Sequence, residues 1–276
     1  VQGIATGLPT GFGVLISQSF GAKNEKGLRH RVAMSTYLTV MISVLVTTIL
    51  LIVNKPLLHT MNTPEEIFGG ASTYLGIIFA GFFATMGYNL FAAILRAIGD
   101  SKTPLYFLVL SSVLNIILDL VFVITFRMGV AGVAYATVVS QAVSAVLCFL
   151  YMKKRYPHVM NAESDEKAFS FSSAGKLMGM GVPMALQFSI TALGTMIVQS
   201  TLNLLGETAI AAYAAAQKLQ GIVGQPYVAL GSAMSTYSGK NAGAGNFDRI
   251  REGFKKCMLV LVVVVAITFV IARFFG

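Results

Sequence analysis

Residues 103–126 read TPLYFLVLSSVLNIILDLVFVITF, and Asp119 is the sole charge among them. A bilayer core takes about 20 helical residues to cross, so this run is long enough to span. It lacks the strict apolar–polar alternation of a barrel strand. Lipid offers backbone groups no hydrogen-bond partners, so a run of this kind must be an α-helix.

Seven more runs have the same character. They are Val1–Ala22, Val32–Asn54, Ile67–Leu95, Met128–Met152, Leu177–Gly206, Thr208–Gly239 (broken only by Lys218) and Cys257–Ala272. Eight spans are therefore expected. Pro9, Pro183 and Pro226 fall inside or near them, and between membrane helices proline marks a kink rather than an end. The whole chain of 276 residues fits this reading, with 55% hydrophobic and 11% charged residues. Charged residues are about 25% of an ordinary soluble domain, so a soluble enzyme, a disordered tail and a disulfide scaffold are all excluded. Cys148 and Cys257 lie in apolar runs and imply no metal pair.

Loops between successive spans alternate sides. Those near 23–31, 96–104, 153–176 and 240–256 carry sixteen of the 20 Lys and Arg, while the opposite side has only Lys55, Arg127 and Arg273. Cytoplasmic loops are the positively charged ones, so the first set is expected in the cytoplasm of a multi-pass plasma-membrane protein. The net charge of +9 is then a consequence of topology, and no nucleic-acid partner is expected.

Gly21-Ala22-Lys23-Asn24 is followed by Arg29, and Gly243-Ala244-Gly245-Asn246 by Arg251, at one constant offset. Both copies close one span and open the next on the same side. An even number of spans separates them, so the chain enters the membrane in the same direction each time. That makes a parallel internal repeat, of the kind secondary transporters use. The structural alternative is that these residues only end helices, since Gly and Asn suit such turns. The repeat also implies eight spans out of twelve: residues 1–155 as a first lobe lacking its first span, 156–172 as a cytoplasmic linker, and 173–276 as the start of a second lobe.

Asp119 is the only acid inside a span. An ionised carboxylate at mid-bilayer costs at least ~2.5–3.5 kcal/mol. A carboxyl withdrawn from water takes up a proton or sits beside a cation, so Asp119 is a candidate proton carrier or ligand for Na⁺, a hard cation that prefers oxygen. Asn115 is four residues earlier, on the same helical face. Asp119 and Thr137 each lie nine residues from Met128, so an antiparallel hairpin is expected to set them at equal depth, roughly 13 Å from the turn. Tyr74, on the preceding span, is expected at similar depth. For Asp119 the structural alternative is a residue that only holds helices together; for Thr137 it is a bond to its own helix backbone. Lys218, the only base deep in a span, is expected to snorkel or pair.

Several motifs in this order resemble the multidrug and toxic compound extrusion (MATE) family. They are Ser17-Gln18-Ser19-Phe20-Gly21-Ala22-Lys23-Asn24, Leu95-Arg96-Ala97-Ile98-Gly99-Asp100-Ser101-Lys102-Thr103-Pro104, Asn115-Ile116-Ile117-Leu118-Asp119, Met128-Gly129-Val130-Ala131-Gly132-Val133-Ala134 and Gly181-Val182-Pro183. The resemblance covers essentially the whole chain. It implies an all-α fold of two helical lobes around a central cavity and cation-coupled antiport of drugs or other amphipathic organic compounds. It also implies ion-coupling roles for Asn115, Asp119 and Thr137, with either H⁺ or Na⁺ as coupling ion, no other cofactor and a monomer in the bilayer. Two departures stand out. The acid that the family carries on its first helix falls outside this sequence, and the segment after Pro183 (Met184 to Thr191) has no acid where some relatives carry Glu.

Other functions ask for residues that this sequence does not clearly supply. A lipid-linked oligosaccharide flippase needs a cationic cavity, for which Lys218 alone is thin. An intramembrane enzyme needs a second catalytic group at the depth of Asp119. His30, His59 and His158 lie in loops far apart, and no zinc-protease, phosphate-loop or nucleophile-elbow pattern occurs. A channel lacks a ring of pore charges.

Overall fold

The computed structural model describes residues 2–60, 65–161, 163, 166, 168–202 and 207–275. Ten α-helices are described: α1 (Gln2–Gly21), α2 (Glu25–Thr60), α3 (Glu65–Ala80), α4 (Phe82–Ile98), α5 (Lys102–Leu120), α6 (Gly129–Arg155), the short α7 (Pro157–Met160), α8 (Phe171–Leu202), α9 (Glu207–Gly243) and α10 (Phe247–Phe275). A π-helical turn (Val121–Thr125) continues α5. The described residues include no strand.

Each apolar run forms its helix, with one modification. The run from Ile67 to Leu95 is split into α3 and α4, bent by 40° at Gly81. There the side chain of Val138 on α6 occupies the place a Cβ at residue 81 would need. Pro9, Pro183 and Pro226 do lie inside helices, and so does Pro56. Hydropathy alone marks α2, α5 with its π turn, α6, α8 and α10 as spans, and the bent α3–α4 pair as a sixth. α1 and α9 fall short by that measure, because glycine and polar residues such as Gln, Ser and Thr interrupt both. For α1 the reason is packing: it lies against α2, α4, α8 and α9, so it needs closeness to protein rather than solubility in acyl chains.

That position makes α1 the axis of the core. Phe12 and Ile16 are fully buried, as are Met86 and Ile94 of α4 and, almost so, Leu177 of α8. Along the α1–α8 contact, Gly3 faces Ser189, Gly7 faces Ala185 and Gly11 faces Gly181, each pair one turn from the next. Small residues at that spacing let antiparallel helices touch through their backbones. The outer surface is the opposite of a soluble protein's: Ile52 is 71% exposed, Ile124 67% and Leu259 67%. Large aliphatic side chains facing outward on several helices form a lipid-facing belt.

The repeat is written into the backbone. At the end of α1, Ala22 N–H bonds Gln18 C=O, Lys23 N–H bonds Phe20 C=O and Asn24 N–H bonds Ser19 C=O. At the end of α9, Ala244 bonds Lys240, Gly245 bonds Ala242 and Asn246 bonds Asn241 in the same pattern. Lys23 and Gly245 both adopt positive φ, 54° and 72°, the left-handed residue of a helix C-cap. The two copies also meet. A Cβ on Gly21 would strike Lys240 C=O, one on Gly243 would strike Gln18 C=O, and one on Gly239 would strike Ser17 Oγ. Ser17 and Gly239 are repeat-equivalent, and the other two contacts exchange equivalent positions. The ends of α1 and α9 therefore cross about a local pseudo-twofold axis.

Asp100 organises the turn between α4 and α5: its Oδ1 accepts Thr103 N–H at 3.1 Å, and its Oδ2 accepts Thr103 Oγ1–H at 2.8 Å and Tyr156 O–H at 3.2 Å. Gly99 at φ 105° closes α4 just before it. Tyr156 directly follows α6, so this carboxylate also ties the end of α6 to the α4–α5 turn.

Candidate functional site

Asn115 and Asp119 are both half-buried, one turn apart on α5. Asn115 Nδ2 and Asp119 Oδ1 are shielded from solvent and have no hydrogen-bond partner among the described residues. Buried polar atoms are normally satisfied, and one that is not costs about 1–3 kcal/mol. Two on one helical face, one a donor and one a carboxylate acceptor, mark a place where an ion, a proton or water completes the set. The π turn begins two residues after Asp119. Such turns often occur at functional sites, since they shift the helix register locally.

Thr137 lies on α6, which packs against α5. Phe122 lies against Gly132, and Ser144 Oγ–H donates to Phe107 C=O at 3.0 Å. Those two contacts set α5 and α6 side by side and antiparallel, with Asn115, Asp119 and Thr137 all between them. Thr137 Oγ1–H donates to Val133 C=O at 3.0 Å, so its proton is used and its lone pairs remain.

Tyr74 is half-buried on α3. α6 packs against both α3 and α5, but α3 and α5 do not pack on each other. The phenol is therefore on a helix that flanks α6 from another side than the carboxylate does. Lys218 is exposed. Among the described residues, no three His, Cys, Asp or Glu side chains cluster as metal ligands.

Three features were not anticipated from the sequence. Thr39 Oγ1 and Ser43 Oγ, one turn apart on α2, are buried and unpartnered among the described residues; within a run of aliphatic residues nothing distinguishes them. A second feature joins the segment before α8 to α2. Arg29 Nε and Nη2 donate to the two oxygens of Glu166, each at 2.7 Å. His30 Nδ1 is 2.8 Å from Glu166 C=O, and its Nε2 is 2.8 Å from Ser173 Oγ. The paired N–H groups of Arg29, followed by Glu163 N–H, hold the Glu166 carboxyl down to about 2. The third is a cavity of about 350 Å³ between α8 and α9, bordered by Gln217, Gln220 and Gln225. Its signal was three glutamines within nine residues of one span.

These helices, their outward aliphatic belt and a half-buried carboxylate define a multi-pass α-helical membrane protein with a repeated architecture. Residues 1–121 and 183–276 match the MatE family model. The chain belongs to the MatE family. It is 32% identical to the probable multidrug resistance protein YpnP of Bacillus subtilis, across 86% of this chain and 52% of that protein. It is 27% identical to the probable multidrug resistance protein NorM of Thermotoga maritima, across 98% of this chain and 59% of that one. The chain thus spans about half the length of the curated relatives it matches. Its fold is shared with a multidrug resistance MATE family transporter of the MOP superfamily in an outward-facing conformation. The TM-score is 0.90 at 23% identity, over 99% of this chain and 61% of that one. A MOP superfamily transporter from Pyrococcus furiosus, described as having a binding pocket of reverse polarity, superposes with a TM-score of 0.89. It is 21% identical and is matched over 61% of its length by 100% of this chain.

Proposed function

We propose that this chain forms the core of a secondary active antiporter that exports drugs or other amphipathic organic compounds in exchange for H⁺ or Na⁺. The observation that carries the reading is the pair of buried, unsatisfied atoms on α5, Asn115 Nδ2 and Asp119 Oδ1, in a chain of the MatE family. Asp119 is the coupling carboxylate. It alternates between a form satisfied by a proton or Na⁺ and a form that is not, and only differential affinity for the two conformations can convert that into work. Asn115 supplies an amide one turn away, and Thr137 a hydroxyl oxygen from the adjoining helix α6. Tyr74 has the weaker claim, because its helix does not adjoin α5.

The basic loops near 23–31, 96–104, 153–176 and 240–256 face the cytoplasm in this reading, and the protein works as a monomer in the plasma membrane without an enzymatic step. A lipid-linked sugar flippase would want cations lining its cavity. Lys218 is exposed instead, and no charged side chain borders the α8–α9 cavity among the described residues.

The test is transport in proteoliposomes under imposed Na⁺ and pH gradients, comparing the protein with Asp119→Asn. The variant is expected to lose uphill movement under both gradients while keeping downhill exchange. Undiminished uphill transport by Asp119→Asn under either gradient overturns the assignment.

A further inference from the structure

The cavity between α8 and α9 has a chemistry of its own. On α9, Tyr213, Gln217, Gln220, Gly224 and Val228 border it; steps of three and four residues put them on one helical face. Thr195 and Val198 of α8 stand opposite, with Gln225 at the edge of the α9 face. No described lining residue carries a formal charge. The volume, about 350 Å³, is within the range of small-molecule sites.

The polar groups are already arranged. Gln217 Nε2–H donates to Tyr213 Oη at 2.6 Å. That bond uses the phenol as an acceptor, so its own O–H is left to donate, and the Gln217 carbonyl is left to accept. Thr195 Oγ1–H is spent on Thr191 C=O at 3.1 Å, so Thr195 offers lone pairs only. Gln220 and Gln225 each add a carbonyl and an NH₂. On α9, Gly221 and Gly224 have open space where a Cβ would be, so the helix presents flat backbone to a ring or chain lying along it.

We infer that this cleft binds uncharged organic molecules bearing hydroxyl and amide groups, and that Gln217 and Gln220 set that preference. A neutral ligand with donors and acceptors of its own satisfies the amides. A permanent cation leaves water and meets no carboxylate, which is unfavourable in a low-dielectric site. A site built to hydrogen-bond also discriminates strongly against ligands that cannot, because its own groups are then left unpaired. The inference deepens the exporter reading and rests on it for biological purpose. Its test reads binding alone, so a failure of gradient coupling and a failure of this assignment are distinguishable.

The probes are chloramphenicol, which is neutral and carries two hydroxyls and an amide, and tetraphenylphosphonium, which is cationic and has no hydrogen-bonding group. Binding is measured on the purified protein in detergent. The Gln217→Leu/Gln220→Leu double variant is expected to bind chloramphenicol at least tenfold more weakly and to leave tetraphenylphosphonium within twofold. Gln220→Glu provides the converse: tetraphenylphosphonium tightens at least fivefold and chloramphenicol weakens. A misfolded variant cannot gain affinity, so that arm separates recognition from stability. Unchanged chloramphenicol affinity in the double variant, equal losses for both probes, or no gain of cation binding in Gln220→Glu overturns the inference.

Discussion

At the scale of single residues, the candidate site was legible as chemistry but not as geometry. One acid inside a run of aliphatic residues is visible in any reading of the sequence, because keeping it there has a cost that packing alone would not select. The π turn that follows Asp119 was not legible, since it leaves no mark in the residue pattern. The Thr137 hydroxyl gives a means of telling the two coupling ions apart. With its proton held by Val133 C=O, Thr137 can contribute only a lone pair, which Na⁺ coordinates directly. Thr137→Val is therefore expected to raise the Na⁺ concentration for half-maximal transport about tenfold, equivalent to about 1.4 kcal/mol, if Na⁺ is the coupling ion. A proton-coupled protein has no Na⁺ dependence for the substitution to shift, and any effect is read in its pH profile instead. Glu166 makes a second residue-level prediction. Its carboxyl is held down to about 2 in the folded protein, below the ordinary value near 4.3. The Arg29 pair is thus fully present above that ordinary value and is lost as the pH falls through about 2. Hydrogen exchange of residues 168–173, at the start of α8, is expected to rise across that window, and Glu166→Gln is expected to show the faster exchange already at pH 7.

At the scale of elements, most of the fold could be read from charge-free runs, since the bilayer sets both their length and their conformation. What could not be read was which faces touch. Gly3, Gly7 and Gly11 of α1 repeat every fourth residue, but so do many residues in a membrane helix, and nothing in the pattern names α8 as their partner. The break at Gly81 was equally hidden, because the wedge that occupies its missing side chain is Val138, on another helix. The contact through Gly11 is close enough to test by overpacking. Gly11→Leu places a branched side chain against the backbone of Gly181 and is expected to cost about 1–3 kcal/mol. Gly69→Leu, where a Cβ meets nothing within 4 Å, is the control and is expected to be far milder. Thermal unfolding in detergent, followed by intrinsic fluorescence or by aggregation, measures both.

At the scale of the whole molecule, the repeat and the proposed mechanism meet at one place. The four-residue match at a fixed offset was enough to detect a duplication, yet it could not reveal that the two copies are in contact. They are: Ser17 and Gly239 lie on the pseudo-twofold axis, and the Gln18–Gly243 and Gly21–Lys240 pairs flank it. Lys240 adds a further tie, its ammonium lying 4.7 Å from the centre of the Phe20 ring. A transporter that alternates by moving one repeat against the other must separate such an interlock to open on that side. The geometry permits a direct trial. A Cβ built on Gly239 stands 3.4 Å from Ser17 Cβ, close to the 3.5–4.5 Å that disulfides span. In a background with Cys148→Ala and Cys257→Ser, the pair Ser17→Cys and Gly239→Cys is expected to cross-link under mild oxidant. The bonded protein is expected to lose at least nine-tenths of its transport and to regain it on adding dithiothreitol, because the bond holds shut a closure that each cycle must release. Either cysteine alone should respond to neither reagent. A cross-linked protein that still transports at full rate would mean that α1 and α9 stay together throughout the cycle, and that the moving parts divide elsewhere.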